Sequence, residues 1–567
     1  MLKWIYKKNT LMILVLLVSL LIAAPAAAAD ATLPEVRTLL EEQYVDPVPS
    51  EVLTAPSIQE TLQKLGDPYT VYMTAEEYQN FIQSIDMSVT GIGVYIKIAP
   101  EGIRISSIIR NSPAEEVGLQ AGDIITKADG QSLAGLSQEK AVGLIKGPEG
   151  TAVWLSVLRN GTNFNLEVPR RVVEIPNVEG KIVHENIGYM AIHTFGEKTP
   201  AEFDQAVKEL KNKGAKAWIV DLRDNPGGYL TTALSLAGYF IGDQTALQTK
   251  DSKGIYQAYL GQKQEITLSE PTIFLTNENS ASASEILTSV VKDYDKATIL
   301  GNKTYGKGSV QTLFPLSDGS VLKMTVAKFF SPYRHEINGV GVSPDIPIVN
   351  SDSEKAAELL LASTLDSSVN ANEEDRVQVF ADNKSWKIPL KQAQTPDYWQ
   401  AYAEMMGNVG SAYTHEELEK GWPLYYPDYQ ELNGLQDVPL DKKFTVTFSG
   451  PINWETVTAQ SLELIEKESG ERVPLEFKPL SDDKLQVIPG DLLKSGKTYW
   501  MVVHRTIQDQ KGESIRENAL AVIKTAASDT PVQIQASRSQ KPPQSELLKM
   551  SDYGQAIMDI GLVKGNQ

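Results

Sequence analysis

The sequence predicts a multidomain chain of mixed class, an α/β core joined to β-rich domains. Three observations predict it. Between residues 171 and 350, strand-like apolar runs alternate with amphipathic helical runs, the pattern of a sheet covered by helices. Between 88 and 170, short alternating strands frame two helical stretches. Between 437 and 527, short alternating runs recur between turn signals without a helical period, as in a β-sandwich. A chain of 567 residues is too long for one core, and its 42% hydrophobic and 22% charged content is that of folded protein.

From the N-terminus, residues 1–29 have the parts of a secretory signal peptide: Lys3, Lys7 and Lys8, the apolar run LMILVLLVSLLIAA, and an A-x-A site ending at Ala29. The run is nearly long enough to span a bilayer, so an uncleaved anchor is the alternative. Residues 30–87 read as short helices, with Thr74 as an N-cap and Glu77 three residues on. The domain at 88–170 has turns at Asp129-Gly130 and Asn160-Gly161 and helices at NSPAEEVGL and EKAVGLIK. In the core at 171–350, PAEFDQAVKELKNKG is a helix closed by Gly214 and KAWIVDLRD a nearly continuous apolar strand. The sequence assigns no element to the connecting region 351–436. The sandwich segment spans 437–527, and the tail 528–567 begins as a linker.

Composition excludes several functions. There is no Cys, hence no disulfide and no thiolate metal site. The formal charge is −19, and loss of the signal lysines makes the mature chain more acidic. Such a chain does not bind nucleic acid through its overall field. Export also argues against ATP as a substrate.

Three stretches carry chemistry. In GNKTYGKGSVQ, residues 301–311, Gly301, Gly306 and Lys307 match a phosphate-binding loop until Gly308 stands where Ser or Thr should hold magnesium. The segment that follows has strand composition, so the nucleotide reading fails, leaving a Gly-rich turn or a lysine with another task. In NENSASASEI, residues 277–286, small residues separate a strand from a helix; they read as interchangeable caps or as a nucleophile at a helix start. In DLRDNPGGYL, residues 221–230, two glycines can bare backbone N–H groups, or simply turn the chain. With only five His and no G-x-S-x-G elbow, a Ser-His triad has little support. A buried lysine can serve instead, because desolvation favours its neutral form.

Together VDLRDNPGG, NENSASASEI, GNKTYGKGSVQ and DGSVLKMTVAKFFSP…GVGVSPDI resemble the carboxyl-terminal processing proteases, serine peptidases of the S41 type, over roughly residues 33–350, LGDPYTVYM included. The resemblance implies an S41 core of the crotonase/ClpP-like kind. It implies Ser282 as nucleophile, Lys307 as general base and Gln311 as the residue assisting the lysine. Ser280 and Ser284 are then structural. It implies an oxyanion hole from the backbone N–H groups of Ala283 and of Gly227 or Gly228. The module at 88–170 resembles a PDZ domain inserted before the core, which in this family selects chain ends and gates the site. Its TGIGVYI loop matches a carboxylate-binding loop at Gly91, Ile92 and Gly93. The 437–527 segment resembles bacterial Ig-like domains, read as an adhesive or positioning module.

The expectation is therefore an exported serine endopeptidase that takes proteins or peptides by their C-termini. No cofactor, metal or nucleic acid is implied. A position near the membrane or cell wall and a homo-oligomer are the further partner expectations. The alternative is a catalytically silent cell-surface binding protein using the PDZ and Ig-like modules; the joint presence of Ser282, Lys307 and Gln311 argues against it.

Overall fold

The strand Ala217–Asp221 is buried at every position, as its unbroken apolar sequence demands. It lies inside a six-stranded sheet ordered Val178–Val183, Ile187–Ile192, Ala217–Asp221, Thr272–Thr276, Thr298–Gly301 and Ile346–Pro347. The first pair is antiparallel and the rest are parallel. Because this order follows the chain without reversal, right-handed crossovers put the connecting helices Thr199–Asn212, Leu230–Ile241 and Ala283–Asp293 on one face. Their apolar sides join Phe203, Trp218, Phe240, Phe274 and Leu287 in one core.

The computed structural model describes residues 26–365, 376–381, 384–409 and 413–527. Most of the expected signal peptide, and the expected tail, lie outside these residues. Among the described residues no helix is long and apolar enough to cross a membrane.

A second sheet of Val71–Met73, Val321–Phe330, Thr245–Asp251 and Tyr256–Leu260, with Ser309–Pro315 paired to Val321–Phe330, stands beside the first. The N-terminal helices pack on it, burying Leu33, Val36, Leu40 and Ile58 against Leu316, Leu322 and Met324. Thr74 and Glu77 make a full capping box at the start of Ala75–Ile85.

The small domain has its own core and a sheet with Val94–Ala99 at one edge. The chain crosses into it through Ser88–Gly91 and out through Arg171–Glu174, which pair as a separate antiparallel ribbon. Its sheet proper therefore lies inside the expected 88–170 limits.

The region without a sequence assignment covers the other face of the core sheet. Helices Ser353–Leu365 and Pro396–Asn408 pack there with Trp386 and Ile388 of a hairpin, against Ile219, Ile273 and Leu300. The sandwich that follows has a four-stranded and a three-stranded sheet. Its first strand, Gln430–Val438, starts before the expected boundary at 437; all but its last residue are exposed, so it carries no apolar alternation to read.

Candidate active site

Three neighbouring parallel strands, Ala217–Asp221, Thr272–Thr276 and Thr298–Gly301, end on the same side of the sheet, and each leads into one of the three motifs. The turn after the first is built around Asn225, which is fully buried. Its Oδ1 accepts from Gly227 N–H at 2.9 Å and its Nδ2 donates to Ile192 O at 2.7 Å. Its carbonyl accepts from Ala281 N–H at 3.0 Å and from the Ser284 hydroxyl at 2.9 Å. The glycine turn and the serine segment are thus sewn together. They touch so closely that a Cβ on Gly227 would lie 2.8 Å from Ser282 Cβ and 2.9 Å from Ala283 N.

Ser282 precedes the helix Ala283–Asp293 with φ 58° and ψ −112°, a strained conformation for a residue with a side chain. The neighbouring serines have structural tasks: Ser280 Oγ donates to Leu222 O at 2.7 Å, and Ser284 Oγ bonds Asn225 as above. What holds Ser282 in place is Glu285, one turn into the helix and fully buried. Its Oε2 accepts from Ser282 N–H and from Lys307 N–H, each at 2.8 Å. Its Oε1 accepts from the Thr304 hydroxyl at 2.7 Å and from Gly306 N–H at 2.6 Å. Burial pushes this carboxyl above its ordinary range against the pull of those bonds. One carboxylate therefore ties the serine turn to the lysine loop.

The lysine loop is as tight as its glycines suggest. Gly306 has φ 94°, and a Cβ on Gly308 would meet Asn338 N at 2.3 Å. The Lys307 amine lies 4.9 Å from the centre of the Tyr69 ring. Burial, and next the Lys323 ammonium, bring it down to about 8, while Glu285 and Asp67 pull the other way. Lys323 is itself lowered by burial, and its amine lies over Phe81. Burial, and then a hydrogen bond to Tyr305, raise the Tyr69 hydroxyl.

Gln311 stands on Ser309–Pro315, opposite Thr325. Its Nε2 donates to Ser309 Oγ at 2.9 Å and to Thr325 Oγ1 at 3.3 Å. Among the described residues no hydrogen bond joins the Lys307 amine to Ser282 or to Gln311. Of the two glycines expected to bare their amides, Gly227 is buried and gives its N–H to Asn225, whereas Gly228 is exposed. Gly228 has φ 148° and lies so close to Phe195 that a Cβ would sit 2.4 Å from its carbonyl.

In the small domain, Gly91 ends the ribbon strand, and Ile92 places its side chain in the domain core. The Ile92 carbonyl accepts from Ala114 N–H at 2.8 Å; that of Gly93 accepts from Ile109 N–H at 3.0 Å and from Ser112 Oγ at 3.2 Å. The loop is thereby fastened through its carbonyls beside the edge strand Val94–Ala99.

Sequence reasoning missed Glu285, Asn225, Asp67, Tyr69, Thr325 and Lys323 as parts of this site. Glu285 had a signal, since Ser282 and Glu285 have capping-box spacing. Asp67 and Thr325 lie within the LGDPYTVYM and DGSVLKMTVAKFFSP motifs, but nothing local marks their role, because only the fold joins them to each other and to Gln311.

Family models match three parts of the chain. That of peptidase family S41 matches residues 186–348, that of the PDZ domain 104–159, and that of the bacterial Ig-like domain 432–525. The carboxy-terminal processing protease CtpB of Bacillus subtilis is 34% identical over 352 residues, covering 60% of this chain and 72% of that protein. A carboxyl-terminal-processing protease of Synechocystis is 34% identical over 316 residues, covering 54% and 74%. A probable CtpA-like serine protease of Staphylococcus saprophyticus is 34% identical over 315 residues, covering 55% and 64%, so this chain spans a little under two thirds of that relative's length.

Proposed function

The chain belongs to peptidase family S41, the carboxyl-terminal processing proteases, and from that premise we propose that it is a serine endopeptidase working through Ser282 and Lys307. The observation that carries this is the shared oxygen of Glu285, which accepts from the backbone N–H of both residues and so holds nucleophile and base in one constellation. The lowered pKa of Lys307 supports it, since a neutral amine can take the Ser282 proton. Closing the dyad takes a rotation of the lysine side chain off the Tyr69 ring.

The serine oxygen then attacks a peptide carbonyl. The backbone N–H groups of Gly228 and Ala283 receive the oxyanion, with Gly227 shaping the turn rather than donating. The lysine ammonium returns its proton to the leaving amine, and water hydrolyses the acyl-enzyme. Gln311 orients the amine without adding a charge that would raise its pKa.

Substrates are proteins or peptides taken by their C-termini. The carboxylate is held at Gly91, Ile92 and Gly93 while the peptide adds to the edge strand Val94–Ala99. The enzyme acts outside the cytoplasm, consistent with the signal-like N-terminus. The test is cleavage of casein by the chain lacking residues 1–29. The parent is expected to cleave it, and Ser282→Ala and Lys307→Ala to be inert. Cleavage that survives both substitutions sinks the mechanism.

A further inference from the structure

The turn 67–70 reaches the site from the far end of the chain. Asp67 Oδ1 accepts from Tyr69 N–H at 2.9 Å, and Oδ2 accepts from the Thr70 hydroxyl at 2.6 Å and the Thr325 hydroxyl at 2.7 Å. Thr70 Oγ1 in turn accepts from Thr325 N–H at 3.1 Å, and Val45 N–H donates to Thr325 O at 3.0 Å. Thr325 is thus clamped by the N-terminal segment, and it is the residue opposite Gln311. The same turn supplies Tyr69, whose ring lies against the Lys307 amine.

The direction of these bonds matters more than their number. An ionised carboxylate only accepts, and a hydroxyl has a single proton to give. Thr325 gives its proton to Asp67, so its oxygen can meet Gln311 only as an acceptor. The Gln311 amide therefore turns its Nε2 toward Thr325 and Ser309. That leaves the carbonyl Oε1 as the end of the amide that can receive an N–H from an amine. A lysine acting as general base needs such an acceptor, so that its lone pair is left for the serine proton.

We propose that Asp67 is a positioning residue of the active site: by accepting from Thr325 it fixes which end of the Gln311 amide faces the Lys307 amine. This rests on the Ser282/Lys307 reading. Asp67 also supplies negative charge to a pocket where Lys307 faces Lys323, Glu285 and the Tyr69–Tyr305 hydroxyl pair, and there it opposes loss of the lysine proton. It thus aligns the base while holding its pKa up, and the two effects separate by experiment.

The experiment is steady-state cleavage of a casein-derived peptide against pH by the chain lacking residues 1–29. Thr325→Val removes the relay and keeps the charge. It is expected to lower kcat about 10- to 100-fold with little change in KM, and to leave the acid limb of the profile in place. Asp67→Asn removes both. It is expected to lose a similar factor in kcat and to move the acid limb to lower pH, because the lysine then releases its proton more easily. Thr325→Ser keeps the hydroxyl and is expected to keep the parent's profile. The double variant is expected to lose no more than the larger single loss.

Parent-like kcat in Thr325→Val, or in an Asp67→Asn protein that melts like the parent, overturns the proposal. So does a loss that follows thermal stability with no movement of the acid limb in Asp67→Asn. If Asp67→Asn does not fold, the contrast between Thr325→Val and Thr325→Ser decides. Ser282→Ala in the same assay separates the two readings. If it still cleaves, the Ser282/Lys307 mechanism has failed. If it is inert while Thr325→Val matches the parent, only the role of Asp67 has failed.

Discussion

Lys307 is the residue whose physics sets the behaviour of the site. A Cβ on Gly308 after it would clash with Asn338, Gly306 before it holds φ 94°, and its amine is packed on an aromatic face beside a second, partly buried lysine. With its pKa brought from the ordinary 10.5 to about 8, the neutral fraction grows roughly tenfold per pH unit below that value. The proteolytic kcat/KM is expected to climb with that slope and level off above about pH 8. Stability follows a definite sign as well. Between about pH 8 and 10.5 the unfolded chain still holds this proton and the folded one does not, so this group's contribution to stability rises with pH across that window. Lys323 gives the sharper check. Lys323→Met removes the neighbouring charge that lowers Lys307, so the acid limb is expected to move to higher pH. A limb that stays in place shows that Lys323 does not help to set the pKa.

At the scale of elements, what the sequence made legible was local. The Thr74–Glu77 box and the Asn160-Gly161 and Asp129-Gly130 turns, each with both residues at positive φ, follow from side chains a few positions apart. The strand Ala217–Asp221 announced itself by its continuous apolar run. The segments with Ser282, Lys307, Gln311 and the two glycines were legible as motifs, and they stand at the ends of adjacent strands. What stayed hidden depends on distant partners. Ser353–Leu365 is apolar on several sides because it lies between the sheet and another helix, so no single stripe marks it. Asp67 and Thr325 are 258 positions apart in the chain and meet only through the second sheet. Asn225 combines the two cases, since its turn is local but its carbonyl anchors the serine segment. Asn225→Ala leaves the buried Gly227 N–H without its acceptor, at a cost of about 1–3 kcal/mol, and lets the glycine turn drift. A lower melting temperature, with kcat falling more than KM rises, is expected from calorimetry and peptide kinetics. Unchanged kcat would show that the turn holds its shape without the side chain.

At the scale of the whole molecule, the protease core, its covering layer and the sandwich are bound together beneath the core sheet, while the small domain keeps a core of its own. The cluster there contains Ile219, Ile273 and Leu300 from the protease sheet, Leu360 and Tyr402 from the covering helices, and Ile465, Trp500 and Val502 from the sandwich. Trp399 stacks on Tyr425 at 3.7 Å and meets Trp500 at 5.5 Å, so the aromatic packing runs from the covering layer into the Ig-like domain. A module hung on a free linker could be lost without affecting its neighbour; one that shares a core cannot. Trp500 is almost fully buried, and Trp500→Ala removes a large side chain from both partners at once, a loss of about 3–5 kcal/mol. Calorimetry of the parent is expected to show the protease core and the sandwich melting in one transition, and Trp500→Ala to shift that whole transition downward. Casein cleavage is then expected to be lost at the same lowered temperature, although among the described residues no hydrogen bond or ion pair joins the sandwich to Ser282. If the sandwich instead melts early by itself while cleavage persists to the parent's temperature, the Ig-like domain is an appendage and the shared cluster does not couple the two.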